Sequence, residues 1–245
     1  MIYFFSDVHL GLGSKKQIKK SEEYVTLFLK KIVIDKAEKL FIVGDLFDYW
    51  FEYNHVIPKH FTRILGTLAM VVDSGVEVEY VIGNHDFGHK NYFENELGIK
   101  LHYDDITVEL YEKKIYISHG DGKAFNDKGY LILKKLLRSR LMNSLYRFIH
   151  PDIGIGFASY LSRRSRGHTN LKDYSINSKS ESDGLLYFAT NKIIKEGYDF
   201  VIMGHNHKSL NKKIGYGNYI NLGEWISERS YLVLDENGFK LEKFM

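Results

Sequence analysis

Five short stretches hold the residues best suited to chemistry. Asp7-Val8-His9, Gly44-Asp45, Gly83-Asn84-His85-Asp86, His119-Gly120 and Gly204-His205-Asn206-His207 each follow a short, mainly apolar run that reads as a strand. Together they offer seven oxygen and nitrogen donors: Asp7, His9, Asp45, Asn84, His119, His205 and His207. That is too many for one tetrahedral zinc. It suits two divalent ions sharing one carboxylate. Two such ions, about 3.5–4 Å apart, can hold a phosphate between them and lower the pKa of a bound water toward neutrality. Asp45, a lone carboxylate after a central strand, is the natural shared ligand. His85 stands beside Asn84 and is not needed as a ligand. It is placed to give a proton or hydrogen bond to a phosphoryl oxygen or leaving group, with Asp86 orienting its imidazole.

Each stretch alone is weak. Gly-Asn is an ordinary turn pair, and a single histidine at a strand end is more often a surface or hydrogen-bonded residue. The joint pattern is different, because five of the eleven histidines fall in these stretches. Strand ends on one rim are where open α/β sheets place their sites. The chain has no cysteine, so thiolate sites and disulfides are excluded. The remaining donor types favour manganese, iron, zinc or magnesium. His55, His60, His89, His102 and His150 read as surface or packing residues; His168 sits in a basic segment where it could touch substrate.

The elements that must position these residues alternate. A strand over 2–6 is followed by a helix over 20–38 with Tyr24, Leu27, Phe28, Lys31 and Ile32 on one face. Strand 40–43, a helix over 58–73 begun by Pro58, and strand 76–82 come next. A short helix over 91–97 leads to adjacent strands at 100–110 and 113–118, which point to a mixed sheet or two sheets. Residues 128–149 read as one Leu-rich basic helix, 151–162 as apolar and Gly-rich, and 163–182 as polar and basic. The α/β pattern resumes with a helix over 184–196 and strand 198–203, then strands over 217–222 and 230–244. If the chain stays extended after the first strand, Asp7 and His9 project to one side.

A length of 245 residues suits one domain with a sizeable insertion, and 44% hydrophobic with 27% charged residues is ordinary for a globular protein. The formal charge of +3 is uneven: residues 122–179 carry +9 and the rest −6. A basic block on a mildly acidic body points to an anionic partner, either phosphate, nucleic acid or a membrane surface. The basic residues are gathered in one helical insert and not interleaved with aromatics along the body, which argues against nucleic acid. The same insert is Leu-rich, so it suits a lipid or membrane surface as well as simple packing on the body. No run is long enough for a membrane helix and no signal-peptide pattern opens the chain, so a cytoplasmic location is expected.

In this order, the five motifs resemble the calcineurin-like metallophosphoesterases. The resemblance runs from Asp7 to His207. It implies an α/β four-layer α/β/β/α sandwich over residues 1–245, with residues 122–182 as a helical basic cap insertion. It implies a first metal on Asp7, His9 and His207, a second on Asn84, His119 and His205, Asp45 between them, and His85 as the catalytic histidine. Within the family, Ser6-Asp7-Val8-His9-Leu10, Gly44-Asp45-Leu46-Phe47-Asp48-Tyr49-Trp50 and Gly83-Asn84-His85-Asp86-Phe87 look most like the members acting in lipid A biosynthesis. Those use manganese to cleave the pyrophosphate of UDP-2,3-diacylglucosamine, giving UMP and 2,3-diacylglucosamine 1-phosphate, as peripheral proteins on the cytoplasmic face of the inner membrane. They carry Arg where this chain has His85. The resemblance implies a UDP-linked diacyl sugar lipid as partner; within the basic insert, Arg164, Lys172, Asn177 and Lys179 are the candidate contacts. A soluble phosphate ester, nucleotide or phosphoprotein is the alternative substrate for the same metal chemistry.

Overall fold

The computed structural model describes residues 1–123, 134–136, 138–156 and 171–245, those at 140 and 171–180 by backbone alone. Two sheets stack face to face. The first runs β11(Gly238–Lys243), β10(Ser230–Asp235), β1(Ile2–Phe5), β2(Lys39–Val43), β3(Glu77–Val81), β4(Lys100–His102). β1 to β4 are parallel, and β10 pairs antiparallel with β1 and β11. The second runs β5(Ile106–Leu110), β6(Lys113–Ser118), β7(Phe200–Met203), β9(Gly217–Asn221), β8(Leu210–Ile214), with β6, β7 and β9 parallel.

Alternation of side chains along each strand makes the layers. Ile2, Phe4, Phe41 and Val43 point into the space between the sheets, where they meet Ile115, Ile117, Ile202 and Ile220. Tyr3, Phe5, Leu40 and Ile42 point the other way, onto α1(Lys15–Ile34) and α2(Thr62–Asp73). On the far side of the second sheet, Tyr116, Val201, Met203 and Tyr219 pack on Leu185, Ala189 and Ile193 of the last long helix, Leu171–Glu196. The result is the four-layer α/β/β/α sandwich. The parallel strands β1, β2 and β3 end on the same rim, as do β6 and β7, and their ends carry all five motifs.

Several elements depart from the sequence reading. α1 starts at Lys15 because Ser14 and Gln17 form a reciprocal capping box. Its buried face is Val25, Phe28, Leu29 and Ile32, with Leu27 exposed, so the stripe lies one residue on from the expected one and shares only Phe28 and Ile32 with it. The run 100–110 is two strands in different sheets. Between them Asp105 turns in to accept hydrogen bonds from Tyr116 Oη and Ser118 Oγ. The short helix expected over 91–97 is α3(Tyr92–Asn95). Residues 128–149 are not one helix: Ser139 is extended and caps a new helix, α4(Arg140–Tyr146), while 128–133 and 137 lie outside the described residues. The helix expected at 184–196 is α5(Leu171–Glu196), so the boundary placed at 182 falls inside a continuous helix. The exposed, Lys-rich strand β8 has no apolar signal to announce it.

Across β2, β3 and β4, buried Glu79 pairs with Lys39 Nζ at 2.6 Å and with His102 Nε2. The hydrogen bond from His102 foremost, then Lys39, outweighs burial and holds the Glu79 carboxyl at about 2. A lowered carboxyl stabilises the fold above its ordinary value of 4.5, and that stabilisation is lost as pH falls through the folded value. Glu79→Gln should therefore destabilise the protein by about 2 kcal/mol at neutral pH. In urea melts its deficit should shrink as pH drops toward 2; a deficit independent of pH would assign the loss to packing instead.

Candidate metal centre and the family it defines

The chain does not stay extended after β1. Asp7, His9, Asp45, His205 and His207 all have positive φ, between 50° and 73°. Of the nine non-glycine residues in that region among the described residues, these are five. Each costs on the order of 1–3 kcal/mol and persists only where its surroundings enforce it. The enforcement is visible. The turns after β1 and β2 zip together through Asp7 N to Gly44 O at 3.1 Å, Val8 N to Asp45 O at 2.9 Å and Leu10 N to Leu46 O at 2.9 Å. Asp7 and His9 meet through these left-handed turns, not through the two-residue period of a strand.

The second constraint is closeness. A Cβ on Gly83 would sit 2.1 Å from Asp45 Oδ1, and one on Gly204 would sit 2.3 Å from Asp7 Oδ2. These glycines are therefore what lets one motif's backbone lie against another motif's carboxylate.

The seven donors come together. His207 Nε2 lies 3.3 Å from Asp7 Oδ1 and 3.1 Å from His9 Nε2. Asp45 Oδ2 lies 3.8 Å from His9 Nε2 on one side and 3.3 Å from His119 Nε2 on the other. His119 Nε2 is also 3.0 Å from Asn84 Oδ1. The His205 ring centre is 5.1 Å from that of His119, and its backbone N–H donates to Asp7 Oδ2 at 3.0 Å. Among the described residues, Asp7/His9/His207, His9/Asp45/His85 and Asp7/Asp45/His119 form compact groups of metal-type ligands. Asp45 thus stands between two sets of imidazoles.

The chemistry of the set fits cations. Asp7 Oδ1 and His9 Nδ1 are buried with no hydrogen bond, and two imidazole nitrogens face each other at 3.1 Å. The titration behaviour is polarised in the same sense. Burial would raise the carboxyls of Asp7 and Asp45, but the facing histidines hold both low. Burial drives His9 down to about 3. It opposes protonation of His119 too, yet the Asp45 carboxylate outweighs it and lifts that imidazole to about 10. Divalent ions in place of protons would satisfy all of these groups together. His119 is already set for this, because Nδ1 donates to Val43 O at 2.9 Å and leaves Nε2 toward Asp45.

His85 adjoins the cluster with a part-exposed ring, and its backbone N–H donates to Asp45 Oδ1 at 2.9 Å. Asp86, expected to orient this ring, is elsewhere. Fully buried, its Oδ1 accepts from Gly83 N at 2.9 Å and its Oδ2 from Leu46 N at 2.9 Å and from Tyr80 Oη. Burial raises its carboxyl, and its work is to hold the Asp45 and Asn84 turns together. The residue beside His85 is Asp48: its carbonyl oxygen is 3.1 Å from His85 Nδ1, and its Oδ1 is 3.8 Å from the same atom and 3.7 Å from His9 Nδ1. The signal for Asp48 was its spacing of three after Asp45, which places a second acid just past the turn.

Of the expected substrate contacts, Arg164 lies outside the described residues, as does His168. Lys172, Asn177 and Lys179 fall on α5, with their side chains likewise outside the description. Other cations stand near the centre. Lys134 and Arg138 reach Asp121 Oδ2 at 2.7 and 3.5 Å, and Arg138 also donates to Gly83 O at 2.6 Å. A cavity of about 300 Å³ touches His119 and shares Ile82, Tyr103, Lys134 and Arg138 with a larger one of about 1020 Å³. Of the remaining histidines, His89 is buried against Trp50 and Phe93, His102 pairs with Glu79, and His55, His60 and His150 are exposed, as expected.

The family described as calcineurin-like phosphoesterase matches residues 1–209, and the chain belongs to it. It is therefore a metal-dependent phosphoesterase by family and by the donor set assembled above. Proteins named UDP-2,3-diacylglucosamine hydrolase are similar along nearly their whole length. That of Porphyromonas gingivalis is 34% identical, covering 98% of this chain and 96% of the relative. Those of Haemophilus influenzae (96% and 95% covered) and Vibrio vulnificus (98% and 96%) are each 28% identical.

The closeness of Gly83 to Asp45 gives a direct test. Gly83→Ala should keep the circular-dichroism spectrum but lower hydrolysis of bis-p-nitrophenyl phosphate, assayed with added divalent ions, by about 10²-fold, the cost of displacing the Asp45 carboxylate by about an ångström. Activity near wild type would show that the turn tolerates the shift.

Proposed function

We propose that the protein hydrolyses the pyrophosphate of UDP-2,3-diacylglucosamine, giving UMP and 2,3-diacylglucosamine 1-phosphate. The observation that carries this is the placement of Asp45 between two sets of imidazoles at the rim, in a chain similar end to end to hydrolases of that substrate. Asp7, His9 and His207 would hold one divalent ion, and Asn84, His119 and His205 the other, with Asp45 shared; manganese is the ion we infer. When bound, such a pair polarises a phosphoryl oxygen and lowers the pKa of a water.

The chain's own residues do the rest. Asp48 fixes the His85 ring through Nδ1, and a proton on that ring passes to the oxygen leaving the cleaved phosphorus. Asp86 keeps the two ligand turns in register. Lys90, Lys134, Arg138 and Arg147 line the large cavity together with Ile82 and Phe87. Cations beside apolar side chains suit a substrate with a pyrophosphate and acyl chains. On the insert, Leu141 and Leu145 of α4 and Phe148 just beyond its end are exposed, in a stretch of sequence that also carries Lys134, Lys135, Arg138 and Arg147. An apolar stripe with basic neighbours supports peripheral contact with an anionic membrane surface. No helix among the described residues is long and apolar enough to cross a membrane.

Purified protein with manganese should release UMP from UDP-2,3-diacylglucosamine, and Asp45→Ala should abolish release, by about 10³-fold or more. Hydrolysis of bis-p-nitrophenyl phosphate without UMP release would keep the metal chemistry and replace the lipid by a soluble phosphate ester.

A further inference from the structure

We propose that Glu181 is a positioning residue for His205: its carboxylate takes the Nε2 proton, so that Nδ1 is the nitrogen offered to a cation. The inference rests on the two-metal reading above and extends it to a side chain on α5, outside all five motifs.

Glu181 Oε1 lies 3.0 Å from His205 Nε2. A carboxylate at this distance accepts, so Nε2 carries the proton, and a neutral ring then has its lone pair at Nδ1. Histidine ligands commonly give their second ring N–H to a carboxylate or carbonyl, which fixes both tautomer and orientation. His119 shows the complementary case, with Nδ1 given to the Val43 carbonyl and Nε2 toward Asp45. The two neighbouring imidazoles would thus present opposite nitrogens.

The contact is built, because α5 is anchored. Leu185, Ala189 and Ile193 pack it on the second sheet, and Ser182 Oγ accepts from Asn206 Nδ2 at 3.4 Å. Two consecutive helix residues therefore meet two consecutive residues of the ligand turn. The backbone of His205 is fixed separately, by its left-handed φ of 73° and its N–H bond to Asp7. What remains is rotation of the ring, and Glu181 stops it.

The test is manganese binding to the full metal-stripped chain by calorimetry, with long-range proton–nitrogen spectra of the histidine rings and a melt to confirm folding. Wild type should bind two ions, and His205 should show the Nε2–H tautomer before metal is added. Glu181→Ala should weaken one ion by 10–100-fold, leave the other unchanged, and mix the His205 tautomers. Glu181→Gln keeps an oxygen that can accept from Nε2 and should recover most of the loss. Wild-type affinity for both ions in Glu181→Ala, or a Gln variant as weak as the Ala variant, overturns the proposal. If Glu181→Ala does not fold, the wild-type tautomer decides: Nδ1–H would overturn it. Wild type binding fewer than two ions would instead refute the two-metal reading beneath it.

Discussion

The structure depends on one buried carboxylate. Asp45 is almost fully withdrawn from water at the junction of two turns, with His9 and His119 on either side. A charge in that position is unfavourable unless compensated by hydrogen bonds and opposite charge. The parallel order β1-β2-β3 brings the turns after three strands side by side, and the second sheet adds His119, His205 and His207 from the other layer. Left-handed backbone at five of the candidate donor positions and glycines at the points of closest approach are what this convergence requires. Asp86 plays the inward part, tying the Gly44–Phe47 and Gly83–Asp86 turns with backbone N–H bonds, so a residue that stabilises the rim and one beside the donor cluster, His85, are neighbours in sequence with opposite orientations.

Much of this was legible in the sequence, and the reasons are local. Short apolar runs ending in polar turns announce parallel strands, and the donor types at those ends announce cations. The spacing of Asp48 after Asp45 marked a second acid past the turn, but its contact with His85 and the inward orientation of Asp86 were not legible, because residues of a tight turn point in directions that spacing alone does not give. Helix faces were legible only where one stripe is clearly more apolar. In α1, Leu27 and Leu29 compete, and packing against Trp225 and Tyr231 around Phe28 selects Leu29. The run 100–110 reads as one strand because its break depends on Asp105 meeting partners on β6. β8 is an exposed edge strand, a position that needs no apolar face.

The basic insert was legible as a cationic, Leu-rich block, but which cation meets the site was not. That depends on how the chain folds back after His119. In the structure Lys134 and Arg138 return to Asp121, and Arg138 reaches the carbonyl of Gly83. The Gly83–Asp86 turn is thus braced from outside the sandwich, and the same cations line both the cavity beside His119 and the large one. Burial opposes ionisation of Asp121, but His119, Arg138 and Lys134 hold it at about 2, so this brace stays charged at neutral pH.

The most direct measurement is anomalous scattering at the manganese edge from crystals grown with that ion. Two peaks are expected: one among Asp7, His9 and His207, the other among Asn84, His119 and His205, with Asp45 bonded to both. A single peak, or a pair that leaves Asp45 bonded to neither, would contradict a centre built around a shared carboxylate.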